Sequence, residues 1–151
     1  MENVRIGILG LGAISGIYLK NLTGLFKETE VVGIYDLIPE KMEQAQKEYG
    51  IPKAYSSMEE MFQDKDIEII LNLTRPFEHY ETTKAALLAG KHVYSEKPLA
   101  ATFEEGKELV ALAQEKGLLL GGAPDTFLGA AIQTCRKLID DGFIGRPIGA
   151  T

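Results

Sequence analysis

Gly10, Gly12 and Ser15 stand in the run Gly10-Leu11-Gly12-Ala13-Ile14-Ser15. A pyrophosphate needs backbone N–H groups that it can approach closely, and a glycine-rich turn from a strand into a helix supplies them. Gly10 permits the tight turn, and Gly12, lacking a Cβ, lets phosphate oxygens reach the backbone. Ala13 and Ile14 lead into the helix. Ser15 replaces the third glycine of the usual pattern and is small enough to keep helix and strand close. Asp36 lies 21 residues beyond Ser15 (36 − 15), at the end of an apolar run. A carboxylate there can accept hydrogen bonds from both hydroxyls of an adenosine ribose, and its charge repels a 2′-phosphate. Leu37 and Ile38 follow it rather than an arginine or serine. The reading therefore favours NAD over NADP, with Lys41 close enough to soften that preference. Alone, Asp36 also reads as a solvated acid opening a turn.

A second constellation is Tyr94-Ser95-Glu96-Lys97-Pro98. Pro98 biases Lys97 towards an extended backbone, which aims its side chain out of the turn. An ammonium in that place can hydrogen-bond a substrate hydroxyl and stabilise negative charge developing on its oxygen. By themselves the two residues also fit an exposed Glu-Lys pair. Two histidines, His79 and His92, and one cysteine, Cys135, have no metal-ligand spacing, so no metal site is expected. Cys135 falls on the apolar face of a helical pattern and reads as core, as does Tyr94 in its strand.

These groups need a frame, and the chain alternates strand with helix throughout. Val4–Gly10, Glu30–Asp36, Ile67–Leu73, Lys91–Ser95 and Leu118–Gly122 read as strands, short apolar runs ending at glycine or a polar residue. Helices are expected over Ile14–Leu22 and over Pro39–Tyr49, with Pro39 at the start and Gly50 at the stop. A third begins at the Ser57-x-x-Glu60 capping box, and a fourth runs from near Pro76 to Ala89. The last two are expected from Thr102-x-x-Glu105 to Lys116 and over Leu128–Asp141. Near-continuous apolar strands between helices mean a parallel sheet covered on both faces. The expected architecture is an α/β, Rossmann-type doubly wound sheet in the order 3-2-1-4-5, with at least one further element. In such sheets ligands lie beyond the carboxyl ends of the strands, the edge that carries the glycine loop, Asp36 and Glu96-Lys97.

Composition narrows the partners. The 151 residues carry 16 basic and 22 acidic side chains, a net charge of −6. A nucleic acid or an anionic membrane surface is disfavoured as a partner, since either wants a basic face. No apolar run is long enough to cross a bilayer. The N-terminal stretch is broken by glycines and lacks a basic start, so it does not read as a secretory signal. With one cysteine there is no internal disulfide, and a cytoplasmic location is expected.

GLGAIS, Asp36, Asn72-Leu73-Thr74-Arg75-Pro76 with His79, and AGKHVYSEKPLA at 89–100 together resemble one family. It is the glucose–fructose oxidoreductase, inositol dehydrogenase and rhizopine-catabolism (Gfo/Idh/MocA) family of NAD(P)-dependent sugar and polyol dehydrogenases. The resemblance implies that Lys97 is the catalytic lysine and that Glu96 and Lys97 line the nicotinamide side. It implies that Thr74, Arg75 and His79 wrap the far end of the cofactor. It further implies a small-molecule sugar or polyol substrate and a homo-oligomeric full-length protein. Members continue into an antiparallel-sheet domain that carries the substrate pocket and the general base, and that domain is absent from this chain. Many also carry an arginine near Thr126, which this sequence lacks. The chain divides into a nucleotide-binding domain over 1–122 and, over 123–151, a crossover helix with the start of the substrate domain, where Arg146–Thr151 reads as a strand beginning. The expected function is NAD(H) binding for hydride transfer at a C–OH group, without turnover by this chain alone. Rival readings are a non-catalytic NAD-binding sensor, a methyltransferase, and an isomerase or hydrolase that keeps its NAD bound.

Overall fold

The computed structural model describes residues 3–149. Six parallel strands form one sheet: β1 Val4–Leu9, β2 Thr29–Tyr35, β3 Lys53–Ala54, β4 Ile69–Asn72, β5 His92–Ser95 and β6 Leu120–Gly122. Their order across the sheet is β3-β2-β1-β4-β5-β6. Side chains alternate between the faces. Ile6, Ile8 and Leu71 pack with Leu19 of α1 (Ser15–Gly24) and Ala45 of α2 (Pro39–Tyr49). Leu9, Ile70 and Val93 pack on the opposite face. Their partners there are Met61 of α3 (Met58–Gln63), Leu87 of α4 (His79–Leu88) and Leu109 of α5 (Phe103–Lys116). Helices thus cover both faces, as the doubly wound reading requires.

The local signals act as their chemistry dictates. Pro39 opens α2, and Gly50 ends it in the left-handed region at φ 68°. The Thr102 hydroxyl accepts from the Glu105 N–H, while the Glu105 carboxylate accepts from the Thr102 N–H, a complete capping box for α5. The box at α3 is half of one. Ser57 Oγ accepts from the Glu60 N–H, but the Glu60 carboxylate reaches one residue further back, to the N–H and hydroxyl of Ser56.

Four expectations are corrected. The third strand in chain order is the pair Lys53–Ala54, which follows Pro52 and is too short to carry a period. It forms the edge beside β2, so the run expected as strand three is β4 and pairs with β1 on the other side. Tyr94 is 39% exposed rather than core, although its ring lies against Gly121. Cys135 is exposed, because α6 (Ala130–Asp140) stands clear of the sheet with its apolar stripe uncovered. Residues 146–149 form no strand, and Ala150 and Thr151 lie outside the described residues. Among the described residues no helix is long and apolar enough to cross a membrane.

Candidate functional site

The turns after β1, β2, β4 and β5 open on the same sheet edge, because all the strands run parallel. Gly10 ends β1 at φ +95°, and a Cβ there would lie 2.6 Å from the Leu73 carbonyl oxygen, so the turn admits glycine alone. The space about the missing Cβ of Gly12 is open to 4 Å. The loop then closes on itself, the Ser15 hydroxyl donating to the Gly12 carbonyl over 2.7 Å. Helix α1 begins with no side-chain cap and no acid in its first turn. Its free N–H groups and positive dipole end suit an anion. Ala13 and Ile14 are exposed at that mouth.

Asp36 sits at the next turn, its side chain 10% exposed. Oδ2 accepts from the Leu11 N–H at 2.7 Å, and Oδ1 accepts from the Ile38 N–H at 2.9 Å. The Lys41 ammonium stands 3.8 Å from Oδ2. Each carboxylate oxygen keeps a lone pair for a further donor. The acid is thus oriented by the loop beside which a ribose would lie.

The β4 and β5 turns are tied together by buried polar groups. Asn72, with no exposed surface, accepts through Oδ1 from the Thr74 N–H and hydroxyl. Its Nδ2 donates to the His79 carbonyl and the Thr83 hydroxyl. Its own carbonyl accepts from the Glu96 N–H. His79 is 1% exposed. Its Nδ1 lies 2.6 Å from the Pro98 carbonyl oxygen and its Nε2 2.9 Å from that of Thr74. His79 therefore fastens the two turns to each other from below and offers no free nitrogen to a ligand. Arg75 pairs with Glu78 and is otherwise exposed.

Lys97 is exposed, its peptide bond to Pro98 is cis, and none of the ion pairs among the described residues engages its ammonium. The Glu96 carboxylate accepts from the Lys97 N–H at 2.9 Å through Oε2 and from the Tyr18 hydroxyl at 2.8 Å through Oε1. Burial first, and then the Glu96 carboxylate, push the Tyr18 hydroxyl well above its ordinary pKa, so it remains a donor. Beside this pair lies an apolar groove of about 580 Å³, lined by Ile14, Ile17, Leu71, Tyr94 and Ala123. His92 is far from this chemistry and accepts from the Leu119 N–H. Tyr18 and Asn72 carry no assigned role in the sequence reading. A tyrosine in an amphipathic helix gives no sign of its partner, whereas the asparagine closing an apolar strand was a visible anomaly.

The fit to a dinucleotide rests on these residues: an open backbone cradle, an uncapped helix start, an oriented carboxylate and a free lysine at one edge. Residues 4–122 match a family model described as an oxidoreductase family with an NAD-binding Rossmann fold. The chain is 37% identical over 148 residues to a 1,5-anhydro-D-fructose reductase of Ensifer adhaerens, covering 97% of this chain and 44% of that protein. It is 32% identical over 142 residues to a scyllo-inositol 2-dehydrogenase (NADP(+)) of Bacillus subtilis, covering 94% and 39%. Among solved structures, the WlbA dehydrogenase of Bordetella pertussis, in complex with NADH and UDP-GlcNAcA, superposes with a TM-score of 0.87 at 29% identity. That match covers 96% of this chain and 42% of the other. The chain spans less than half the length of these relatives.

Proposed function

The chain belongs to the Gfo/Idh/MocA oxidoreductase family through residues 4–122, and from that premise we propose that it is the nucleotide-binding part of a dehydrogenase acting on a C–OH group of a sugar, polyol or related compound. The observation that carries this reading is the meeting of Gly12, the uncapped start of α1, Asp36 and the free Lys97 along one sheet edge. When bound, the nicotinamide dinucleotide supplies the redox chemistry. Gly10, Gly12, Ala13 and Ile14 shape the phosphate cradle, where α1 offers N–H donors. Asp36 accepts from the ribose hydroxyls. Thr74 and Arg75 border the cradle, and His79 fixes the backbone of both neighbouring turns. Glu96 and Lys97 serve the nicotinamide side, and the Lys97 ammonium orients the reacting hydroxyl and stabilises charge on its oxygen. The domain spans residues 1–122, and 123–151 lead towards the substrate-reading part.

NAD is the preferred dinucleotide because the Asp36 carboxylate opposes a 2′-phosphate, with Lys41 as the residue that tempers the choice. The 151-residue chain is expected to bind the dinucleotide without turnover, since Lys97 is assigned only to orient the hydroxyl and the family's general base belongs to the substrate domain. A fluorescence titration with NADH and NADPH, on the wild type and on Asp36→Ala, tests the reading. Tighter binding of NADH that weakens in the variant supports it; failure of both nucleotides to bind overturns it. In the extended protein, Lys97→Ala should abolish turnover while NADH still binds, and a sensor would be indifferent to the change.

A further inference from the structure

Glu96 and Tyr18 are 78 positions apart in sequence, yet their side chains meet at 2.8 Å across the mouth of the groove between α1 and β5. The same carboxylate caps the Lys97 N–H with its other oxygen at 2.9 Å. A carboxylate on a flexible two-methylene stem has several rotamers, and one donor does not select among them. Two donors on opposite oxygens do. On the other flank of Lys97, the Pro98 carbonyl is held by His79. Among the described residues, Tyr18 is the side chain of α1 that hydrogen-bonds this turn, and α1 is also the helix that presents its N–H groups beside the glycine loop.

We propose that Tyr18 is a positioning residue, acting through Glu96: its hydroxyl locks the Glu96 carboxylate over the Lys97 N–H and so fixes how the Glu96-Lys97 turn faces the nicotinamide half of the dinucleotide. This rests on the functional reading above. Tyr18 touches neither cofactor nor substrate in this role. It registers the α1 end of the site, which holds phosphate, against the β5 end, which holds the reacting ring. A hydroxyl lost from Tyr18 frees the carboxylate without disturbing the packing of the ring.

Two measurements on the 151-residue chain test it. The first is an amide correlation spectrum without ligand. In Tyr18→Phe the Lys97 amide should move upfield, towards its position in Glu96→Ala, while the Thr74 amide stays in place. The second compares NADH with ADP-ribose, which lacks the nicotinamide, by calorimetry. Tyr18→Phe should weaken NADH about fivefold, the equivalent of one hydrogen bond, and leave ADP-ribose within about twofold. In a Glu96→Ala background the same change should have no further effect on NADH. An unmoved Lys97 amide overturns the proposal alone. So does equal weakening of both ligands, or an undiminished effect in the Glu96→Ala background. A wild-type chain that binds neither ligand overturns the functional reading, and the role assigned to Tyr18 falls with it.

Discussion

The Leu11 amide donates to Asp36 Oδ2 over 2.7 Å, so the acid that closes β2 is bonded to the loop that closes β1. One carboxylate therefore shapes the glycine loop and, in the function proposed above, also accepts from the ribose hydroxyls. Asp36→Ala should remove both effects, weakening NADH by about tenfold or more and costing about 1–2 kcal/mol of stability. Titration and urea unfolding on the same preparation check the two numbers. An affinity loss with no stability loss would show that the Leu11 bond contributes nothing to the fold.

Gly10 and Gly12 should separate fold from function. A methyl group on Gly10 meets the Leu73 carbonyl at 2.6 Å on a backbone at φ +95°. Gly10→Ala should cost about 2 kcal/mol or more. A methyl group on Gly12 meets nothing within 4 Å. Gly12→Ala should unfold within about 0.5 kcal/mol of wild type yet lose most of its NADH affinity. Urea midpoints and a binding titration on both variants decide it.

Asn72 is the polar hub beneath the site, making four side-chain hydrogen bonds with no exposed surface. Asn72→Ala leaves the Thr74 N–H and the His79 carbonyl without that partner. It should cost about 3 kcal/mol, which is roughly 6–12 °C in thermal midpoint for a chain of this size. A calorimetric scan checks this, and a shift under about 2 °C would mean that water replaces the amide.

Acid should weaken the opposite end of the sheet. Asp64 accepts from Lys53 Nζ and Tyr55 Oη, both at 2.8 Å, and from the Asp66 N–H at 2.9 Å. The Lys53 hydrogen bond first, and then the Asp66 amide and Tyr55, hold its pKa down to about 2. The folded value lies below the unfolded one. The stabilisation is therefore complete above the ordinary aspartate range and drains away as pH falls from about 4 to about 2. Solvent around the half-exposed Lys53 limits it to about 1 kcal/mol. Asp64→Asn should flatten the stability profile across that window, measured by urea unfolding at stepped pH.

What the sequence discloses follows the range of each interaction. Gly10, Gly50 and the Thr102–Glu105 box act within a few residues, and their types alone announce the turn, the stop and the cap. The parallel sheet was legible because apolar runs separated by helical periods leave few alternatives. The Lys53–Ala54 strand was not, since two residues carry no period and only pairing with β2 defines it. The same holds in the site. Glycine loop, acid and lysine are read from spacing, whereas the Tyr18–Glu96 bond and the burial of His79 depend on how α1 and β5 are set side by side. Cys135 shows the reverse error: amphipathic spacing identifies an apolar stripe on α6 but does not say what lies against it.

The sheet's outer strands, β3 and β6, have two and three residues. A strand margin is an invitation, because its unpaired N–H and C=O groups can recruit another chain edge to edge. Here each margin is too brief to template such growth, and β3 begins with a lysine whose ammonium is already paired to Asp64. Of the two long strands, β1 is paired on both sides, whereas β2 meets β3 only at Gly33 and Ile34. β1, which leads into the glycine loop, is thereby kept away from either margin of the sheet.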